Sequence, residues 1–355
     1  VNSLVNKSID FFLFEKYEYK KGCQYKQLFK KGSKMSDGQA VIVVPGDEPR
    51  QIAGSAHLEK LKSYGQVTLF DTRPQSTEEK VERVKDAQVI MNTRGSVQWG
   101  EAEFSQLPNL KMLTTCSIGT DMIDLNAARK HGVIVCNQPG RTAPVVAEHM
   151  FGLMFAISKR AAYFTAQMKA GNWPRRDNVM LQGKTLGIVG TGNIGAEMAR
   201  LGRAIGMDVI AWTFNPSAKR AKELGVRCVE LDDLLKTADV VSLHVALTDD
   251  TRGLIGQRAF ETMKPGALFL NGARGAVVDT SALVHALNSG HLGGAGIDVF
   301  EQEPPPADLE LLKCEQVVLT PHCADMTPEG VDLLNSGAVE NVIAFLENRT
   351  QNTVT

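Results

Sequence analysis

Residues 186–212 read LGIVGTGNIGAEMARLGRAIGMDVIAW. An apolar run, three glycines at Gly190, Gly192 and Gly195, a helical stretch and a second apolar run follow one another in this order. The order predicts strand, tight turn, helix and parallel strand, the opening unit of a doubly wound sheet that binds a dinucleotide. Gly190 permits the turn, Gly192 lets backbone reach a pyrophosphate, and Gly195 lets helix and strand pack closely. The backbone of Asn193, Ile194 and Gly195 then opens the helix, with its positive dipole end facing the phosphates. One position departs from the pattern. At the end of DVIAW a carboxylate would ordinarily accept hydrogen bonds from the adenosine ribose, and the residue there is Thr213. Thr213 and Asn215 offer neutral partners, with Lys219 and Arg220 a few residues beyond. NAD is therefore the expected cofactor, with poor discrimination against NADP.

On either side of this unit the chain alternates β-branched runs with helical stretches. AVIVV, VTLF, QVIMN, KMLTTC and VIVCN precede it, separated by segments such as STEEKVERVKDA. VVSLHV, ALFLNG, GAGIDV and VVLTPH follow it. Such alternation predicts α/β architecture with parallel sheets. Between the two series one helical pattern runs from about Val145 to Ala170, ending at Gly171. A last helical stretch, PEGVDLLNSGAVENVIAFLENR, comes after the second sheet is complete and is free to return to the first. The resulting division is a discontinuous domain of residues 39–144 and 326–355 around a dinucleotide domain of residues 145–325, behind an irregular extension of residues 1–38.

Composition removes several alternatives. The 355 residues suffice for two domains, and 39 Lys plus Arg against 40 Asp plus Glu leave no global field for nucleic acid or an anionic membrane. The most apolar helical stretch, Met150 to Ser158, is flanked by charge and too short to span a bilayer. Six dispersed cysteines form no C-x-x-C pair and no Cys/His cluster at metal spacing, so no metal is expected and reduced thiols in a cytoplasmic protein are. Residues 1–34 are different, with eight lysines against three acids, and Asp10 within IDFFLF argues against a secretory segment.

Three polar residues lie just past predicted strand ends, where ligand crevices open in doubly wound sheets. They are Arg274 in FLNGARG, Glu303 in GIDVFEQEP and His322 in LTPH. Singly, each has an ordinary structural reading. Together they make an acid/base, its carboxylate partner and a fixed cation, the groups that reduction of a 2-keto acid needs to protonate the carbonyl and hold the carboxylate.

With GTGNIG, VVSLHVALTDDTRGLIG, FLNGARGAVVDTSALVHAL, GAGIDVFEQEP and LTPH in this order, the chain resembles the D-isomer-specific 2-hydroxyacid dehydrogenases from about Val41 to Asn348. The resemblance implies two doubly wound parallel-sheet domains, a Rossmann-type nucleotide domain and a flavodoxin-like substrate domain, with the site in the cleft and a homodimer as the assembly. It implies hydride transfer between a nicotinamide cofactor and a small 2-keto or D-2-hydroxy acid. By the same resemblance His322 is the general acid/base, Glu303 orients and charges it, and Arg274 binds the substrate carboxylate and carbonyl. Asp298 holds the nicotinamide carboxamide, and His244 lies at the cofactor edge. The amides of Ile118 and Gly119 hold the substrate carboxylate, and Arg94 reads its distal end. Ser117 stands where the family more often has glycine. A second reading, a nucleotide-sensing corepressor-like binding protein on the same fold, retains these residues without turnover.

Overall fold

The computed structural model describes residues 39–95 and 97–355. The extension expected at residues 1–38 lies outside them. Residues 39–355 form one compact unit built on two parallel sheets.

The first sheet contains β1 (Ala40–Val44), β2 (Gly65–Leu69), β3 (Val89–Asn92), β4 (Met112–Thr115) and β5 (Ile134–Cys136). Its strand order is β2-β1-β3-β4-β5, the flavodoxin-like order. The second contains β6 (Thr185–Val189), β7 (Asp208–Trp212), β8 (Arg227–Cys228), β9 (Val240–Leu243), β10 (Ala267–Asn271), β11 (Leu292–Ile297) and β12 (Val317–Leu319). Its order, β8-β7-β6-β9-β10-β11-β12, is the Rossmann order extended by one strand. Every residue of β3, β4, β9 and β10 is buried. Helices on both faces of a parallel sheet account for these unalternating apolar runs.

The chain crosses between the halves through the helix Ala143–Ser158, whose Val146, Met150, Leu153, Met154 and Ile157 pack on the second sheet with Leu186, Ile188 and Leu268. It returns through the helix Pro328–Leu346, whose Ala338, Val339, Val342 and Ile343 join the first core beside Ile42, Val89 and Met112. The tail continues to β5, where Val354 N–H donates to Val135 O at 2.9 Å and Thr353 bridges Cys136.

The single helix expected over 145–170 is broken. One helix ends at Ser158, the next runs Ala161–Lys169, and Arg160 between them is left-handed at φ 51°. The break is made by a distant segment: Val179 N–H donates to Ser158 O, while Lys159 Nζ donates to Val179 O and Arg160 Nε to Asp177 O. These contacts satisfy the chain at the helix end, so the turn forms despite an uninterrupted helical pattern.

Candidate active site

The glycine loop follows β6 at the point where strand order reverses, the position of ligand crevices in such sheets. Gly190 has φ +102°, and a methyl on Gly195 would overlap the Gly190 carbonyl. Both positions therefore demand glycine. A methyl on Gly192 would meet nothing within 4 Å, so this side of the loop is open. Gly192 caps the helix Asn193–Ala204 without a side-chain bond, and the first intrahelical amide is Ala196 N–H on Gly192 O. The preceding amides are available to phosphate oxygens. His244 follows β9 on the other side of the switch. Its Nε2 lies 2.8 Å from Ser242 Oγ, and its Nδ1 is shielded from solvent without a partner among the described residues. Burial pushes its pKa down to about 3, so the ring is a neutral polar group beside the cradle. An open glycine cradle, free helix amides and an unpaired ring nitrogen fit a dinucleotide. Thr213 comes directly after β7, and the next exposed side chain is Phe214, packed edge-on against Trp212 at 4.7 Å.

Beyond β10, β11 and β12 the three expected residues converge. His322 Nδ1 lies 2.6 Å from Glu303 Oε2, and Glu303 Oε1 accepts from Phe300 N–H at 3.0 Å. The hydrogen bond His322 donates to Glu303 raises the His322 pKa above its ordinary 6.5, outweighing burial and the positive charge of Arg274. Burial pushes Glu303 upward, but bonds from His322 and the Phe300 amide outweigh it, and its pKa is lowered. The pair thus favours the imidazolium form of the ring beside a carboxylate, with Nε2 lacking any partner among the described residues.

Asp298 is 1% exposed. Its Oδ1 accepts from Thr320 Oγ1 and Cys323 N–H, and its Oδ2 from Ala324 N–H at 3.2 Å. His322 N–H donates to the Asp298 carbonyl at 2.8 Å. These bonds hold His322 at φ +49°, a backbone state that costs a non-glycine residue about 1–3 kcal/mol. Asp298 therefore braces the histidine, whatever else its Oδ2 holds. His149, on the helix Ala143–Ser158, was not anticipated: its Nε2 lies 3.0 Å from Thr320 Oγ1 and 3.4 Å from Asp298 Oδ1. The potential ligand atoms of His149, Asp298 and Cys323 lie within 4.8 Å of one another, and the bonds just given already occupy the first two residues.

From the first sheet, the loop after β4 carries Ile118 and Gly119. Ser117 Oγ donates to Gly119 O at 2.8 Å and lies 2.9 Å from Thr115 Oγ1, and Asn137 Nδ2 donates to Ile118 O. The serine thus braces the loop. Neither Ile118 nor Gly119 N–H is engaged by another described residue. Arg94, after β3 and left-handed at φ 51°, donates to Asp325 at 3.0 Å, three residues beyond His322. Arg274 donates through Nε to Asp121 at 2.7 Å. Asp121 was not singled out in the sequence. Both arginines are therefore brought to the junction of the two sheets.

A family model, the NAD-binding domain of D-isomer-specific 2-hydroxyacid dehydrogenases, matches residues 151–324. A glyoxylate reductase of Korarchaeum cryptofilum is 38% identical over 295 residues, 81% of this chain and 89% of the relative. The chain belongs to the D-isomer-specific 2-hydroxyacid dehydrogenase family. The D-3-phosphoglycerate dehydrogenase of Archaeoglobus fulgidus is 41% identical over 233 residues, 65% of this chain, but this match spans only 44% of that protein's length. D-lactate dehydrogenase of Aquifex aeolicus, solved with NAD and lactic acid, superposes with a TM-score of 0.77 at 30% identity, covering 87% of this chain and 96% of that one. As a member of the family, the chain is an oxidoreductase that interconverts 2-keto and D-2-hydroxy acids with NAD(P). No helix among the described residues is long and apolar enough to cross a membrane.

Proposed function

We propose that the chain is a reductase of short 2-keto acids, glyoxylate and hydroxypyruvate being candidates, with His322 as proton donor. The observation that carries this reading is the 2.6 Å His322–Glu303 pair, with Arg274 beyond a neighbouring strand of the same sheet. Bound nicotinamide supplies the hydride to the carbonyl carbon. His322 gives its Nε2 proton to the carbonyl oxygen and is left neutral, while Glu303 stays ionised throughout. Arg274 and the amides of Ile118 and Gly119 hold the substrate carboxylate, and the arginine stabilises charge developing on the oxygen. Arg94 faces the distal end of the substrate. Asp298 braces His322 and offers Oδ2 to the carboxamide of the cofactor, and His244 lines the cofactor edge.

NAD used with weak selectivity over NADP belongs to the same reading, supported by Thr213 at the ribose position. So do a domain division at residues 39–144 with 326–355 and 145–325, a homodimer, and a cytoplasmic location. The five cysteines among the described residues are free thiols, which agrees with that compartment. A spectrophotometric scan of 2-keto acids with NADH and NADPH tests the reading. Wild type should turn over at least one short 2-keto acid. His322→Ala should lose about 100- to 10,000-fold in reduction while still binding NADH. Near wild-type turnover in that variant would remove His322 from its role.

A further inference from the structure

Arg274 meets a side chain from the other half of the molecule. Its Nε donates to Asp121 Oδ2 at 2.7 Å and one of its NH1 hydrogens to Ala273 O at 2.7 Å. Asp121 lies in the loop after β4, two residues from Gly119, and its carboxylate has no other partner among the described residues. The remaining nitrogen, NH2, lies against Gly119 so closely that a methyl there would overlap it. Asp121 therefore holds the guanidinium at Nε, on the edge that faces Gly119, and leaves the end of the fork, with NH2 beside the unengaged Gly119 amide, to a ligand. A planar fork held on one edge can offer its end in only one orientation.

Fold stability is a weak explanation for this pair. Its side chains are 30% and 39% exposed, and ion pairs so exposed contribute about 0–1 kcal/mol. The pair also has a counterpart of reversed sense. Arg94 comes from the first sheet and Asp325 from the second, whereas Asp121 comes from the first and Arg274 from the second. Each half thus contributes one arginine and one carboxylate to the junction around His322.

We infer that Asp121 is a positioning residue for keto-acid reduction: it fixes the Arg274 guanidinium across the junction so that its free end and the Gly119 amide receive one substrate carboxylate. This inference rests on the reading of Arg274 as the substrate clamp. Asp121 has a second effect through charge. Arg274 opposes protonation of His322, and a carboxylate on Arg274 offsets that opposition.

The test compares wild type, Asp121→Asn and Asp121→Glu with one 2-keto acid that wild type reduces. Asn accepts only a neutral hydrogen bond at this position. Asp121→Asn should lower kcat/KM for the keto acid by about 10- to 100-fold, the scale of a misplaced binding group, with KM raised as well as kcat lowered. The dissociation constant for NADH, read by fluorescence, should stay within about twofold, the margin that separates a local effect from a general one. The alkaline limb of the reduction profile should move to lower pH, because His322 then faces an uncompensated cation. Asp121→Glu, which keeps the charge, should recover part of the efficiency and return the limb toward wild type.

An unchanged efficiency and limb in Asp121→Asn overturns the inference. A parallel loss of NADH binding also overturns it, because that marks a general structural role. A wild type inert toward every 2-keto acid overturns the underlying reading and this inference with it, whereas an active wild type with an unaltered Asp121→Asn variant overturns the inference alone.

Discussion

At the scale of single residues the site depends on charge balance around one imidazole. The Glu303 bond raises the His322 pKa above 6.5, and reduction by the proposed mechanism requires the protonated ring. The reductive rate should therefore hold below that raised pKa and fall as pH climbs through it. In Glu303→Gln the largest raising influence is gone while burial and Arg274 remain, so the alkaline limb of kcat/KM should move to lower pH. A pH profile of both proteins checks this, and an unmoved limb would falsify the coupling. The same linkage makes the pair stabilising at low pH from the histidine side, since a group whose pKa rises on folding loses its contribution as pH increases through the folded value. Arg274, Glu303 and His322 were legible in the sequence because each follows a strand end where crevices form. Asp121 and His149 were not. Their partners Arg274 and Thr320 stand 153 and 171 positions away, and nothing near either residue in the chain marks that encounter.

At the scale of elements, the proposed reading makes the turn after β7 the place where NAD and NADP are told apart. Thr213 can hydrogen-bond a ribose hydroxyl but neither charges that bond nor repels a 2′-phosphate. Thr213→Asp should raise the ratio of kcat/KM for NADH over NADPH by about tenfold or more, ~1.4 kcal/mol in the barrier difference. Kinetics with both reduced cofactors measure it. An unchanged ratio would mean that another group, such as Asn215 or Arg220, sets the preference. Most strands could be read directly because long apolar runs in a parallel sheet are buried on both faces. AVIVV coincides with β1 and DVIAW with β7. β8 escaped because it is two residues, Arg227–Cys228, at a sheet edge with no β-branched run. The break at Arg160 escaped for a different reason: its cause is the segment around Asp177 to Val179, and local propensity yields to such tertiary bonds.

At the scale of the whole molecule the two sheets account for the cleft but leave part of the surface unexplained. The helix Ala161–Lys169 buries none of its residues, and close by Met168, Trp173 and Met180 are 54, 74 and 63% exposed. Large apolar side chains gathered on one segment mark an interaction surface more often than a solvated one. Arg160, Lys159 and the extended segment 177–179 tie this region to the end of the helix Ala143–Ser158, so it is presented from a fixed base. A second copy of the chain is the occupant expected from the homodimer reading, and aromatic anchors such as Trp173 carry a large share of the binding energy in interfaces of this kind. Trp173→Asp should therefore convert a wild type with the mass of two chains into a species with the mass of one, as light scattering on a sizing column reports. NADH binding should persist in that species, since Trp173 belongs to neither the glycine loop nor the His322 cluster. A wild type that already has the mass of one chain, or a variant that keeps the mass of two, would show that this apolar segment is not the dimer contact.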